Sequence, residues 1–284
     1  MKSEINRKDL TANILNKVII RLDFLRIVNI QELVSELQGY LSTLDFFLTN
    51  QDFVNDIEFQ INDPEILSTD NFSVKKSIKR EQIYNFENTN NTVELAISEN
   101  FIAFNIDCKR EYSLEKYITI FSKIVILAQK KFTFIKFIRI GLRKINNIIC
   151  KDENLYYCFE KDFLPDIKIQ TSEIREIRYM KRQALDNLSY NKHLFNIFKI
   201  IQEGTLGNKN TERAFNAILD IDGYLKETIP ERFEDYDDVK KTIIGINYDI
   251  FDIFKSMITY NFANDLIKGE SNKVEWGINK NDKI

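Results

Sequence analysis

Apolar and polar residues alternate along several stretches of the chain, which is the period expected of strands with one buried face. In the first of these, Val18, Ile20 and Leu22 are separated by Ile19 and Arg21. Further alternating or β-branched runs predict strands over residues 53–61, 73–86, 93–97, 101–106, 137–149, 174–182, 194–201 and 213–225. The short polar gap after residue 97 predicts a hairpin, and the polar stretch 62–72 predicts a loop.

Three other stretches carry apolar residues at spacings of three and four, which predicts amphipathic helices. The first runs through residues 33–48, and Asn29 is its expected cap because an acidic residue follows three positions later. The second helix is expected to begin after Ser113, a good capping residue. The third carries its apolar stripe over residues 239–262 and is expected to end near Gly269.

Runs of strands followed by long helices, without alternating βαβ units, favour the α+β class. The prediction is therefore antiparallel sheets packed against three long amphipathic helices. The chain divides into an N-terminal half, 1–150, and a C-terminal half, 151–284. No linker rich in glycine, serine or proline separates them, so one compact unit is expected. The polar tail from about residue 270 is expected to fray, with Trp276 docking against the rest.

The composition is that of an ordinary globular protein: 284 residues, 44% hydrophobic and 29% charged. The net charge of −3 does not support a dedicated nucleic-acid binder, which displaces counterions with a basic face. A nucleic-acid partner stays an alternative that would depend on a local basic patch. No stretch of about 18 apolar residues predicts a membrane span, and no apolar leader is present, so a cytoplasmic location is expected.

The small number of cysteine and histidine residues limits the disulfide, metal-binding and catalytic chemistry that the chain can carry out. The three cysteines, Cys108, Cys150 and Cys158, are an odd and sparse set that suits buried free thiols in a reducing compartment. The single histidine, His193, lies in a polar stretch and is expected in a surface loop. The chain lacks the sequence signatures of a phosphate-binding loop, a dinucleotide-binding turn, a zinc protease helix and a nucleophile elbow. No cofactor and no metal site is therefore expected.

Two pairs of charged residues are the candidates for a binding site. Arg139 and Arg143 share one face of a predicted strand with Gly141 between them, and the two guanidinium groups could hold a phosphate or a carboxylate. Asp220 and Asp222 share a face of another predicted strand and could bind a divalent cation or act as acid and base. The competing interpretation is that the arginines and aspartates form salt bridges across a sheet.

Several short segments together resemble a known family. They are VIIRLDF at 18–24, the helix start at 112–121, RIGLRKIN at 139–146, LDID at 219–222 and the closing helix through 258–259. In order and spacing they are similar to an uncharacterised family of sporadically distributed bacterial proteins with no assigned activity. This chain departs from the family at Lys144, where the family usually has an aromatic residue. The resemblance implies a bacterial source and, through the patchy distribution, mobile genetic islands that often carry phage-defence genes.

The leading hypothesis from the sequence is a non-enzymatic interaction or accessory protein, with a protein partner or self-association through an edge strand. The alternative is a nucleotide- or nucleic-acid-binding sensor or enzyme that uses Arg139, Arg143, Asp220 and Asp222. A pocket lined by these four side chains would favour the alternative, whereas their pairing with one another would count against it.

Overall fold

The computed structural model describes residues 4–61, 74–109, 113–161, 163, 176–186, 192–206 and 212–280. The strands within these ranges are β1 Ala12–Asn13, β2 Leu15–Phe24, β3 Phe46–Ile61, β4 Val74–Asn88, β5 Val93–Ser98, β6 Phe101–Asp107, β7 Phe137–Lys151, β8 Glu176–Asp186, β9 Lys192–Leu206, β10 Glu212–Leu225 and β11 Asn279–Lys280. The helices are α1 Gln31–Ser42, α2 Leu114–Lys131, α3 Asp152–Cys158, α4 Tyr236–Met257 and α5 Tyr260–Lys268, with one turn of 3-10 helix at Arg7–Asp9.

Nine of the strands form a single sheet in the order β3-β4-β5-β6-β2-β7-β10-β9-β8. Every pairing in this sheet is antiparallel. The prediction of an α+β protein with antiparallel sheet is confirmed in this form. The described residues hold five helices rather than the three long ones expected from the sequence. The loop expected at 62–72 lies outside the described residues.

The two halves of the chain share a topology that the sequence does not reveal as a repeat. In the first half, β2 pairs with β6, and β5, β4 and β3 extend outward from it. In the second half, β7 pairs with β10, and β9 and β8 extend outward in the same way. A helix follows the first strand of each half and another follows its last strand. The halves join where β2 pairs with β7, so both contribute to one continuous sheet.

One face of the sheet is packed against helices. Val18, Ile20 and Leu22 of β2 alternate toward this face and are fully buried. Helix α4 lies against β7 and β10 and also contacts α2. Its approach depends on Gly223 in β10, because a Cβ there would lie 2.8 Å from Cγ2 of Ile246. The helices and this face of the sheet therefore enclose the core.

Helix starts were predicted with mixed success. Ser113 caps α2 as expected, since its side chain accepts a hydrogen bond from the backbone N–H of Lys116. The prediction of a capping box at Asn29 is wrong. Helix α1 has Ile30 at its N-cap, with no side-chain cap, and Asn29 contributes only its backbone carbonyl, which accepts from Glu32.

Two of the predicted helices are longer than the observed ones. The apolar spacing on which they were predicted continues beyond the residue at which the helical conformation ends. Helix α1 ends at Ser42, and the apolar residues from Phe46 onward belong to strand β3. The third predicted helix breaks into α4 and α5, since Ile258 is extended and bridges to Phe159. Thr259 then caps α5 through its hydroxyl, and Gly269 ends that helix with a left-handed φ of 84°, as expected for a terminal glycine.

The segment after residue 270, for which fraying is the expectation, is instead hydrogen-bonded to the end of β7 and to β1. The backbone carbonyl of Trp276 accepts a hydrogen bond of 2.9 Å from the N–H of Ile149 in β7. Further along, β11 pairs with β1 in a separate two-stranded sheet. Residues 281–284 lie outside the described part of the chain.

Candidate functional site

The four charged candidates lie together on the face of the sheet opposite the helices, here called the open face. Arg139 and Arg143 lie four positions apart on one face of β7, and Asp220 and Asp222 lie two positions apart on the same face of its neighbour β10. The register places Arg143 directly opposite Asp222. Because β7 and β10 are adjacent at the centre of the sheet, the side chains on this face come within hydrogen-bonding distance of one another.

Each arginine is paired with an aspartate of the next strand. Arg143 donates from Nε to Oδ1 of Asp220 at 2.8 Å and from Nη2 to Oδ2 at 2.5 Å, which is a two-pronged pairing. These hydrogen bonds raise the pKa of the Arg143 guanidinium above its ordinary value. Arg139 donates from Nη2 to Oδ1 of Asp222 at 2.5 Å. The structure thus places all four residues together and pairs them as the salt-bridge interpretation describes.

The pairing extends beyond the four candidates to a second strand on the other side of β7. Asp23 of β2 lies 3.4 Å from Nη1 of Arg139 and accepts a 2.7 Å hydrogen bond from Nε of Arg21. The guanidinium of Arg21 in turn lies over the ring of Phe101 in β6, 4.2 Å from the ring centroid. Asp23 therefore bridges two arginines.

The same pairing continues toward the opposite edge of the sheet. Asn196 of β9 donates to Oδ2 of Asp222 at 3.2 Å. The guanidinium of Arg139 stacks over the ring of Tyr224, 4.4 Å from its centroid, and Arg182 of β8 donates to the Tyr224 hydroxyl at 3.0 Å. The connected side chains span β6, β2, β7, β10, β9 and β8. We call them the open-face network, which consists of Arg21, Asp23, Phe101, Arg139, Arg143, Arg182, Asn196, Asp220, Asp222 and Tyr224.

Gly141 explains how the network packs so closely. A Cβ at this position would lie 2.8 Å from the carbonyl oxygen of Gly223, 2.9 Å from Cβ of Tyr224 and 3.5 Å from Nη2 of Arg139. A glycine inside a strand can leave room for a ligand or for another strand. In the structure β10 and the Arg139–Tyr224 stack fill that room.

The exposed parts of the network are mainly guanidinium groups. The side chains of Arg21 and Arg143 are 40% and 42% exposed, whereas that of Asp220 is 9% exposed. The carboxylates lie deeper and accept hydrogen bonds from arginine, so the chemistry offered to solvent is hydrogen-bond donation and stacking. Among the residues that the structure describes, no group of three or more His, Cys, Asp and Glu side chains is placed to hold a metal ion.

His193 is not in a surface loop, so that prediction is wrong. It lies in β9 with 6% of its surface exposed, and its Nδ1 is 2.5 Å from Oδ2 of Asp249 in α4. The ring also lies near Gly245 of the same helix, where an added Cβ would be 3.6 Å from Cε1 of His193, an ordinary contact distance. The sequence did hold a signal, because His193 has the same period-two position as the buried Phe195.

Lys144 is a second buried polar residue that the sequence did not predict. It lies on the helix-covered face of β7, between Val18 of β2 and Ile221 of β10. Burial, and secondarily the charge of Arg7, lowers the pKa of its ammonium group well below the ordinary value.

None of the three cysteines forms a disulfide and all three are buried, as predicted. Cys150 at the end of β7 and Cys158 at the end of α3 lie close together, and the hydrogen bond between their thiols raises the pKa of Cys158. A protonated, enclosed thiol is a poor nucleophile.

Two concave regions of the described structure lie away from the open-face network. One is an apolar cavity of about 10 Å³ beneath Ile5 and Phe254. The other is an open groove of about 480 Å³ bordered by Lys109, Glu270 and Trp276. Neither is lined by Arg139, Arg143, Asp220 or Asp222, so neither provides the pocket that would favour the nucleotide-binding alternative.

Comparisons with known proteins do not name a function. No protein-family model matches the sequence, and no curated protein matches it either. None of the helices in the described part of the chain is both long and apolar enough to cross a membrane.

Proposed function

We propose that this chain is a non-enzymatic interaction protein whose open sheet face binds a folded protein partner. The observation that carries the proposal is the open-face network, which crosses six adjacent strands and exposes arginine side chains beside the half-buried ring of Phe101. A surface of this breadth suits a protein surface better than a small molecule, which is usually bound in a concave pocket.

The composition of the face supports this assignment. Protein interfaces are enriched in arginine, tyrosine, phenylalanine and methionine. The open face presents the exposed Arg21 and Arg143 with the half-buried Phe101, while the ring of Tyr224 lies buried beneath Arg139. Half-buried apolar side chains occupy the same face next to the network, namely Ile145, Phe198, Ile200 and Ile218. Apolar positions beside fixed arginines form the kind of surface on which a few residues contribute most of the binding energy.

Preorganisation is the second support. Arg139 is held by two aspartates and a tyrosine ring, and Arg21 is held by one aspartate and a phenylalanine ring. Side chains already fixed in the free protein lose less conformational entropy when a partner binds. The network therefore favours tight contact with a complementary, rigid surface.

A nucleotide- or nucleic-acid-binding function is the second candidate. The exposed guanidinium of Arg21 beside Phe101 favours it, because phosphate contact and base stacking use these two groups. Against it, Asp23, Asp220 and Asp222 neutralise arginines of the same face, and the chain carries a net charge of −3. Phosphate binding depends on uncompensated positive charge.

The biological setting is also proposed, and it rests on the resemblance alone. The chain would be a bacterial, cytoplasmic member of the uncharacterised family, encoded in a mobile genetic island and connected with phage defence. This setting would supply the partner, since defence genes commonly act in groups.

The experiment that tests the function compares two matched arginine variants of the full chain. Arg21→Ala removes an arginine that pairs with a neighbouring carboxylate at 2.7 Å and lies over a phenylalanine ring. Arg213→Ala is the control, because Arg213 is similarly exposed, pairs with Glu203 at 2.7 Å and lies over Phe215 outside the network. Partners are cross-linked in the source cell, identified by mass spectrometry and then titrated as purified proteins.

We expect a specific partner whose affinity falls by roughly tenfold or more with Arg21→Ala and stays within about twofold with Arg213→Ala. If the partner bound both variants with equal affinity, the open face would not be its binding surface. A single-stranded oligonucleotide titrated at physiological salt tests the second candidate, since micromolar binding that Arg21→Ala abolishes would favour nucleic acid over protein.

A further inference from the structure

Strand β8 is an edge of the nine-stranded sheet with an unusual degree of exposure. It pairs on one side with β9, and no other strand in the described part of the chain pairs with its outer side. Tyr179 and Met180, which point to opposite faces, are 44% and 65% exposed. An edge strand of this kind offers a row of backbone donors and acceptors to another strand.

We propose that two copies of this chain associate through β8, pairing antiparallel across a two-fold axis to form one sheet that continues through both molecules. The partner is a second copy because antiparallel pairing of a strand with itself is the operation of a two-fold axis, which makes the interface closed and self-complementary. This inference concerns the sheet edge and does not rest on the proposed function of the open face.

Geometry limits the register. A two-fold axis perpendicular to the sheet keeps each face on its own side, so residues opposite each other must both be even-numbered or both odd-numbered. The axis must then pass beside a single residue. Five registers pair at least seven of the eleven residues of β8, and they are centred on residues 179, 180, 181, 182 and 183.

Charge selects one of these five registers. Centring on Lys181 or Arg182 places that cation opposite its own copy, and centring on Met180 places Arg178 opposite Arg182. Like charges directly opposite are destabilising. Centring on Gln183 forms no like-charge pair but also no ion pair, and it leaves Tyr179 outside the paired residues. Centring on Tyr179 places Glu176 of each copy opposite Arg182 of the other, with no like-charge pair. The register centred on Tyr179 is therefore the only one of the five that forms ion pairs without a like-charge pair.

In this register the exposed apolar groups become covered. The two copies of Tyr179 meet at the axis on one face, and Met180 lies opposite Arg178 on the other. Both Glu176 and Arg182 are solvent-exposed residues of the open-face side, so each can reach its counterpart across the new strand pair. The edge thus supplies backbone hydrogen bonds, two ion pairs and an aromatic contact.

Sedimentation velocity of the full chain tests the proposal with charge-reversed variants. We expect the wild-type chain to reach twice its 33.6 kDa mass at concentrations up to about 200 µM. Glu176→Arg alone and Arg182→Glu alone place like charges opposite each other twice per dimer, so each should shift dissociation by at least about tenfold toward monomer. An equimolar mixture of the two variants restores opposite charges at both sites and should dimerise like wild type.

The mixture makes the test independent of any loss of folding, because a damaged strand would not recover on mixing. Glu227→Arg, in the exposed turn after β10, is the charge-reversal control and should dimerise normally. A wild-type chain that stays monomeric would overturn the proposal, as would dimers that persist in both single variants or a mixture that stays monomeric. Mass that grows without limit would indicate pairing of β8 with the other edge, β3, and would also overturn it.

Oxidative cross-linking gives a second measurement. Tyr179→Cys places two thiols opposite each other at the axis, where mild oxidation with copper–phenanthroline should join the chains. Lys181→Cys is the matched control, since its two copies would lie about 13 Å apart along the strands and should not cross-link. The native cysteines do not interfere because all three are buried. Cross-linking through residue 181 but not through residue 179 would refute the register.

Discussion

The two faces of the central strands are built by different rules. On β10, Ile221 points to the helix-covered face and is fully buried among apolar side chains, while its neighbour Asp222 points to the open face and pairs with Arg139. The helix-covered face is stabilised by apolar burial, which needs no particular partner. The open face is held by directional contacts that need particular partners. The comparison shows that burial on the helix-covered face stabilises the sheet, whereas the side chains of the open face can be selected for a function.

Truncating the adjacent residues of β10 gives the largest expected effects. Ile221→Ala removes fully buried apolar volume and should lower the free energy of unfolding by about 2–5 kcal/mol. Asp222→Ala removes a partly exposed acceptor and should lower it by about 1–2 kcal/mol, since solvent screens its ion pair. Urea denaturation of both variants measures the difference. Equal losses in the free energy of unfolding would contradict the conclusion that the helix-covered face contributes more to stability than the open face.

Gly141→Ala should be the next most harmful change, although it only adds a methyl group. The added Cβ meets the backbone carbonyl of Gly223 and Cβ of Tyr224 at less than 3.0 Å, so strands β7 and β10 must shift. We expect a loss of about 2–3 kcal/mol, measured by thermal and urea unfolding.

Gly39→Ala in α1 is the control for this glycine. A Cβ there meets nothing within 4 Å, and alanine is the better helix former, so the variant should gain roughly 0.5–1 kcal/mol. A harmless Gly141→Ala would mean that the Arg139–Tyr224 stack does not depend on that close approach.

The smallest expected effect tests the one cation on the apolar side of β7. Lys144→Met should raise the free energy of unfolding at pH 7 by on the order of 1–2 kcal/mol, since it replaces a buried ammonium with an apolar chain of similar length. Lys17→Met, on the open face of β2, is the control and should change it by less than about 0.5 kcal/mol.

The pH dependence of this gain has a definite sign. The pKa of Lys144 is lowered in the folded state, so between the folded pKa and the unfolded value near 10.4 only the unfolded chain carries the extra proton. The wild-type chain is therefore stabilised as the pH rises through that window. The advantage of Lys144→Met should be complete at low pH and shrink toward pH 10. An advantage that does not vary with pH would contradict the assignment.

Most strands of the sheet could be predicted from period-two patterns, because alternation of apolar and polar residues is a local property of the sequence. Residues 137–149 predicted β7 within two residues at its C-terminal end, and the hairpin of β5 and β6 was also predicted. The ends of the helices were harder to predict from the sequence. Apolar spacing continues across Ile258 because α4 and α5 both bury residues in the same core, so the pattern does not record the break.

The candidate site was predictable only in part, for the same reason. Period two places Arg139 with Arg143, and Asp220 with Asp222, on common faces. Which strands are neighbours depends on contacts between residues far apart in the chain. Asp23, for example, joins Arg139 across 116 residues of sequence, and only the pairing of β2 with β7 brings them together.

The pairing of β2 with β7 also has a consequence for how the chain folds. Each half closes its own set of strands, because its first strand pairs with its last one. Such contacts form within about a hundred residues, so we infer that each half folds early as a unit, the first of them during synthesis. Joining the units then requires two preformed strands to meet edge to edge. That encounter buries the last free edges at the middle of the sheet, and we infer that it limits the folding rate.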